Sequence, residues 1–172
     1  MAGDAKPVVA VVFASENDLP VMSEALRALE EFGIAHEVEL TSAHRSPRRT
    51  HDYVQAAAAR GVKVFIVGAG AAAHLAGAIA SLTTLPVIGV PLANTPLGGA
   101  DALYATVQMP AGVPVATMAL DKAGARNAAI FAAEVLALSD TSLAERLRAF
   151  KEGLAQSVVE KAARLKQQLE QE

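Results

Sequence analysis

Short apolar runs alternate with amphipathic stretches along most of the chain. The runs are rich in β-branched residues, and each is followed by a polar or Gly-rich turn and then by a helical pattern. This pattern predicts five strands, at residues 8–13, 36–41, 63–68, 86–91 and 114–119. Their spacing of roughly 25 to 30 residues is typical of parallel strands joined by crossover helices. The chain is therefore predicted to form an α/β fold.

Two of the predicted strands indicate how the sheet is covered. Residues 8–13 and 64–67 are apolar throughout instead of alternating with polar positions. A strand of this kind is buried on both of its faces, which in parallel sheets means helices above and below. We therefore expect a three-layer sandwich with a five-stranded parallel sheet in the middle.

The predicted helices are bounded by residues that favour helix ends. One helix covers 20–32 and stops at Gly33, and another runs over 47–60 between the cap Ser46 with Pro47 and the terminating Gly61. The segment 92–112 is rich in glycine and proline, and we expect a loop there with a short helix over 101–107.

The end of the chain has a different pattern. From Ser142, apolar residues recur every three or four positions among charged ones, which predicts one long amphipathic helix capped by Ser139 or Ser142. We therefore divide the chain into an α/β domain over 1–141 and a helix over 142–172. The apolar stripe of this helix either folds back on its own sheet or contacts another subunit.

Composition narrows the class of protein. The 172 residues are 52% hydrophobic and 19% charged, which excludes a disordered chain and fits one globular domain. The net charge of −3 offers no attraction for nucleic acid, and no apolar run is long enough to span a membrane. There is no cysteine, so disulfides and a cysteine nucleophile are excluded, and we expect a cytoplasmic location.

Candidate chemistry is sought where the strands end, because ligands of open parallel sheets bind beyond the carboxyl ends of the strands. Ser15 and Asp18 follow the first strand, at the start of a helix whose free N–H groups favour an anion such as phosphate. The alternative is that Ser15 or Asp18 only caps that helix.

The loop after the second strand carries the best candidate for acid–base chemistry. His44 and Arg45 stand there between serines, so that a proton carrier lies beside a cation suited to phosphate. The other histidines are weaker candidates, since His36 starts a strand and His51 and His74 lie on predicted helices. No spacing of histidines or carboxylates resembles a metal site.

Two further loops are rich in glycine. The segment after the third strand fits the pattern G-x-G-x-x-A, but it is not on the first strand and no acidic residue follows about 20 positions later, so we reject a dinucleotide site. Its glycines indicate either close approach of the backbone to a small ligand or a tight turn. The loop around Gly98 and Gly99 could close over a substrate or contact another subunit.

Three segments together resemble one family, the N5-carboxyaminoimidazole ribonucleotide mutases, or PurE family, of purine biosynthesis. The family signature Ser-Ala-His-Arg-Thr-Pro is similar to residues 42–47, and its Gly-Ala-Gly-Gly-Ala-Ala-His-Leu loop to residues 68–75. Its Val-Gln-Met-Pro-x-Gly-x-Pro-Val stretch resembles residues 107–115. The resemblance covers residues 8 to 138 in the right order.

The resemblance implies a flavodoxin-like sheet of order 2-1-3-4-5, a homo-octamer, and a reaction without metal or organic cofactor. The reaction moves a carboxylate from N5 to C4 of aminoimidazole ribonucleotide through trapped CO2, with His44 as catalytic acid and base. The substrate-binding residues that it implies are Ser15, Asp18, Ser42, Ala43, Arg45, Gly70, Ala71, Ala72 and His74. Among these, Ser15, Asp18 and Arg45 should hold the ribose and phosphate, and residues 70–72 should line the CO2 pocket.

The chain departs from the family pattern at five positions near these loops, namely Ala14, Asn17, Ala71, Ala76 and Ala105. Two alternatives to a mutase therefore stay open, a carboxylase that uses free CO2 and a non-catalytic nucleotide-binding protein. In the carboxylase class a lysine typically stands at the position of Arg45, so the arginine favours the mutase.

Overall fold

Among residues 6–170, which the computed structural model describes, five strands form one sheet. They are β1 (Val9–Phe13), β2 (His36–Leu40), β3 (Val64–Gly70), β4 (Val87–Leu92) and β5 (Ala116–Thr117). All neighbouring strands are parallel, and their order is β2-β1-β3-β4-β5. The α/β, flavodoxin-like order that the resemblance implied is confirmed.

Helices connect the strands and complete the chain. They are α1 (Leu19–Glu31), α2 (Pro47–Arg60), α3 (Leu75–Ala80), α4 (Ala100–Val107), α5 (Asp121–Ala137) and α6 (Thr141–Leu169). A single 3-10 turn (Glu16–Asp18) precedes α1. The helix α2 has the predicted bounds, because Pro47 fixes its first turn and Gly61, at φ +113°, supplies the left-handed residue that ends it.

The core lies along the three inner strands. Every residue of β1 and β4 is buried, and so are the first six residues of β3, which are covered on both faces. Full burial of one such Val or Ile side chain contributes about 1.5–3 kcal/mol. The edge strand β2 instead mixes exposed and half-buried residues and carries two glutamates. This burial agrees with the predicted three-layer sandwich.

Several predicted ends differ from the structure by one residue, and three predictions are wrong by two residues or in the capping residue. The strand β3 continues two residues beyond position 68, because Ala69 and Gly70 still pair with β4. The strand β5 has two residues instead of the six predicted at 114–119. The helix α6 is capped by Asp140, whose carboxylate accepts a 2.9 Å hydrogen bond from the Leu143 amide, and not by Ser139 or Ser142.

The chain divides into two compact units, one up to Ala133 and one from Glu134 onward. The first contains the whole sheet. In the second, Leu143 and Leu147 of α6 are buried and Lys151 pairs with Glu134 at 3.4 Å, whereas the last two turns are exposed. The division predicted after residue 141 stays a prediction, and positions 171–172 of the predicted helix lie outside the described residues.

No helix within residues 6–170 is long and apolar enough to cross a membrane.

Candidate active site

The turn between β2 and α2 is closed by hydrogen bonds on both sides of His44. Ser46 Oγ accepts from the Ser42 amide at 3.0 Å, and the Ser46 amide donates to the Ser42 carbonyl at 2.9 Å. The Arg45 amide donates to Ser42 Oγ at 3.2 Å. Ser46 has the predicted cap position, but its side chain serves the turn and makes no capping bond to α2. The exposed His44 thus lies in a turn that is closed by three hydrogen bonds.

The ring of His44 meets a second imidazole. Its Nε2 lies 2.9 Å from Nδ1 of His74, and the two ring planes are inclined at 83° with centroids 5.0 Å apart. His74 was expected inside a first helical turn, but it has the N-cap position before α3, since the loop after β3 continues up to it. The contact joins the loops after β2 and β3.

A cavity of about 320 Å³ lies beside His44. Its walls come from the loops after β1, β2 and β3, and they are Ala14, Ser42, Ala43, His44, Arg45, Ala69, Gly70, Ala71, Ala72 and Leu75. Most of these side chains are small and apolar, while His44 and Arg45 add an imidazole and a guanidinium. The cavity can therefore enclose a small uncharged molecule next to a group that exchanges protons.

A second cavity, of about 700 Å³, shares Ala14, Ser42 and Arg45 with the first. Ser15 and Arg49 also line it. The Arg49 guanidinium is already paired with Glu39. The Arg45 guanidinium has no carboxylate partner within residues 6–170 and donates to the Ala14 carbonyl at 3.3 Å. Arg45 thus leaves a positive charge for an anion in this cavity.

Ser15 and Asp18, the two residues after β1, have different surroundings. Ser15 Oγ accepts from the Asn17 amide at 3.2 Å, so it does cap the 3-10 turn. Asp18 makes no capping bond to α1 and is 4% exposed, with Asn94 Nδ2 donating to its Oδ1 at 3.2 Å. Burial raises the pKa of the Asp18 carboxyl, although the Asn94 bond and the backbone of Ser15 and Ala14 act against it.

Asn94, which follows β4, is a residue that the sequence analysis missed. Besides holding Asp18, it packs against Gly70, where an added Cβ would lie 2.5 Å from Asn94 Oδ1. The strand-end rule points to it, since Asn94 comes two residues after Leu92, but the sequence prediction for this loop named Gly98 and Gly99 instead.

Ala71 has a left-handed backbone, with φ +52°. Two short hydrogen bonds follow it, from the Ala73 amide to the Ala71 carbonyl at 2.8 Å and from the His74 amide to the Ala72 carbonyl at 2.7 Å. Glycine adopts this conformation without strain, and glycine is the residue of the family pattern at this position. The loop therefore keeps a glycine-like shape with a strained alanine.

The structure brings most of the predicted site residues together. Seven of them line the first cavity, namely Ser42, Ala43, His44, Arg45, Gly70, Ala71 and Ala72. Ser15 lines the adjoining second cavity, and His74 reaches the first only through the ring of His44. Asp18 lines neither cavity. The roles given to these residues stay predictions.

Comparison with known proteins identifies the family. The sequence matches the AIR carboxylase family over residues 8–157. The chain belongs to this family. It is 49% identical over 162 residues to the N5-carboxyaminoimidazole ribonucleotide mutase of Pyrococcus horikoshii, with 94% of this chain and 90% of that protein covered.

Two further proteins are similar to this member of the AIR carboxylase family, one by sequence and one by structure. The mutase of Thermotoga maritima is 48% identical over 161 residues, which cover 94% of this chain and 93% of that one. A crystal structure of Treponema denticola PurE superposes with a TM-score of 0.84 at 26% identity, over 92% of this chain and 98% of that chain. The family predicted from the three sequence motifs is confirmed.

Proposed function

We propose that the protein is an N5-carboxyaminoimidazole ribonucleotide mutase of purine biosynthesis, which moves a carboxylate from N5 to C4 of aminoimidazole ribonucleotide. The names of the relatives in Pyrococcus horikoshii and Thermotoga maritima support the reaction. The observation that carries it in this chain is the position of His44, whose ring stands on the wall of a small apolar cavity enclosed by three strand-end loops.

His44 does the proton chemistry in the proposed reaction. The bond between N5 and the carboxylate carbon breaks, CO2 leaves, and N5 takes a proton from His44. C4 of the ring then attacks the same CO2, and the proton released from C4 returns to His44. The imidazole ends in its starting state, so the step consumes no reductant and no second substrate. Histidine suits this exchange because its ordinary pKa is near neutral pH.

In the proposed reaction the two adjoining cavities bind different parts of the substrate. We place the CO2 in the 320 Å³ cavity, against the small side chains and backbone of Gly70, Ala71 and Ala72. We place the phosphate in the 700 Å³ cavity, where Ser15 and the unpaired charge of Arg45 lie. Because Arg45 and Ser42 line both cavities, one ribonucleotide can extend across them.

The test is turnover of purified protein with N5-carboxyaminoimidazole ribonucleotide, followed as formation of the 4-carboxy product. We expect His44→Asn to lower kcat by about 100-fold or more, the usual size of an acid–base contribution. His51→Asn is the matched control, since His51 is an exposed histidine of α2 outside both cavities, and it should keep full activity. Conversion no faster than the spontaneous reaction would remove the proposal.

A carbon label separates the mutase from a carboxylase. The substrate carries 13C in its N5 carboxylate, and the solution contains unlabelled CO2 in excess. A mutase that keeps CO2 in its cavity transfers the label to C4, whereas a carboxylase that draws on free CO2 loses it. Retention of most of the label is expected. Binding of the ribonucleotide without turnover would favour the non-catalytic alternative.

We also propose that the protein assembles as a homo-octamer. Support comes from α6, where Leu154, Val158, Leu165 and Leu169 are each more than half exposed. Exposed apolar side chains in a row are costly in water and are usually covered by another chain. Light scattering should give the mass of eight chains, and a monomer at micromolar concentration would refute this.

We propose a cytoplasmic location, with a small ribonucleotide substrate and further copies of the chain as partners, and without nucleic acid or membrane. The absence of cysteine is compatible with a reducing compartment, and the net charge of −3 gives no attraction for nucleic acid.

A further inference from the structure

The contact between the two imidazoles restricts where their protons can be. His44 Nε2 and His74 Nδ1 are 2.9 Å apart, which is a hydrogen-bond distance, so one of these nitrogens carries a proton and the other accepts it. If both carried a proton, two N–H groups would face each other and the contact would open. The pair thus has two possible arrangements, with either His44 or His74 as donor.

Only one of these arrangements suits a group that must act as acid and as base in turn. With His44 as donor, its Nε2 stays protonated while its Nδ1 either lacks or carries a proton, and the hydrogen bond to His74 is kept in both states. With His74 as donor, protonation of His44 would occur at the very nitrogen that accepts the bond. The hydrogen bond would then break in every cycle.

The observed link between His74 and the cavity beside His44 is the contact between the two imidazole rings. His74 is not among the residues that line the cavity beside His44. Instead it lines a separate cavity of about 510 Å³ with Tyr104, Gln108 and Met109. Its contact with the reaction site is therefore the ring of His44.

We propose that His74 is a positioning residue, whose Nδ1 accepts the Nε2 proton of His44 and so leaves Nδ1 of His44 as the nitrogen that exchanges a proton with the substrate. This inference rests on the proposed mutase function for its catalytic consequence, but the tautomers themselves are a property of the free protein. In histidines generally, the hydrogen bond at one ring nitrogen sets the protonation of the other. His74 thus fixes both the orientation and the tautomer of the catalytic ring.

The direct test is 15N magic-angle-spinning NMR of sedimented protein labelled only at histidine, without ligand, at a pH where both rings are neutral. The chain has four histidines, and the spectra of His44→Asn and His74→Asn assign the two that matter. We expect a protonated Nε2 in each of the two rings and bare Nδ1 atoms. A proton on Nδ1 of His74 would overturn the inference, whether or not the protein has mutase activity.

Two substitutions of His74 test the catalytic consequence. The amide oxygen of His74→Asn can replace Nδ1 as acceptor, whereas His74→Leu has no acceptor. We expect His74→Leu to lower kcat about 10- to 100-fold with KM for the ribonucleotide changed less than about 3-fold, and His74→Asn to recover activity to within about 5-fold of the unsubstituted protein. Equal losses in both variants, or full activity in His74→Leu, would contradict the proposed role.

Failure of this inference can be told apart from failure of the proposed function. If the unsubstituted protein turns over no N5-carboxyaminoimidazole ribonucleotide, the function fails, while the NMR result still decides the tautomers. If turnover is present and His44→Asn abolishes it but His74→Leu does not reduce it, only the positioning role of His74 fails. Unfolding curves of both His74 variants exclude a general loss of structure.

Discussion

The left-handed conformation of Ala71 gives a prediction about stability that is opposite in sign to the usual one. Replacing alanine by glycine normally destabilises a protein, because glycine gains more conformational freedom in the unfolded chain. At Ala71, with φ +52°, the same replacement also removes a steric conflict between the Cβ atom and the backbone. We therefore expect Ala71→Gly to leave the free energy of unfolding unchanged or to increase it.

The magnitude follows from two opposing contributions. The left-handed conformation of a residue with a Cβ atom destabilises the folded state by about 1–2 kcal/mol, and Ala71→Gly removes this strain. Glycine also gives the unfolded chain more conformational freedom, which lowers the free energy of unfolding by about 0.4–1 kcal/mol. Ala72 is the matched control, since it is an exposed neighbour in the same loop and lies outside the left-handed region. Because the second contribution is common to both variants, Ala71→Gly should be about 1–2 kcal/mol more stable than Ala72→Gly.

Thermal unfolding of both variants at one protein concentration measures this difference. For a chain of this size, 1 kcal/mol corresponds to about 2–4 °C in Tm, so the two variants should differ by several degrees. Concentration is held constant because the proposed assembly would contribute to apparent stability. Equal decreases in Tm for Ala71→Gly and Ala72→Gly would show that residue 71 is not strained, and the reasoning would fail.

Two further glycine substitutions should have opposite effects on the free energy of unfolding. In Gly124→Ala the new Cβ would lie 1.7 Å from the Ala119 carbonyl oxygen, so α5 would have to move, and we expect a loss of about 3 kcal/mol or more by chemical unfolding. In Gly153→Ala nothing lies within 4 Å of the new Cβ on α6, and a gain of about 0.5–1 kcal/mol in the same measurement is expected from better helix propensity. A stabilised Gly124→Ala or a destabilised Gly153→Ala would contradict these expectations.

The parts of the fold that were predicted from the sequence depend on local signals. The bounds of α2 follow from Pro47 and Gly61, whose backbone preferences act at their own positions. The strand β1 follows from an unbroken apolar run, which only a doubly covered strand explains well. The gathering of His44, Arg45 and Gly70 at one cavity follows from the rule that parallel strands end at one edge.

The features that could not be predicted depend on residues far apart in the chain, or on a choice between neighbouring residues with similar preferences. The end of β3 at Gly70 is set by its pairing with Leu92 of β4, which no local pattern contains. The hydrogen bond between His44 and His74 spans 30 positions and needs both loop conformations to be known. At the start of α6, Asp140 competes with neighbouring serines of similar capping strength, and composition does not rank them.

The space above Gly70 is already occupied by Asn94, and this changes how a mutational scan of the site should be interpreted. A methyl group at position 70 would push the Asn94 amide away, and Asp18 would lose the donor that holds its carboxyl group. Loss of activity in such a variant would therefore combine two effects, the loss of the hydrogen bond between Asn94 and Asp18 and the new methyl group on the wall of the cavity beside His44. Asn94 therefore restricts the size of residue 70 from inside the protein, in addition to the cavity that Gly70 lines.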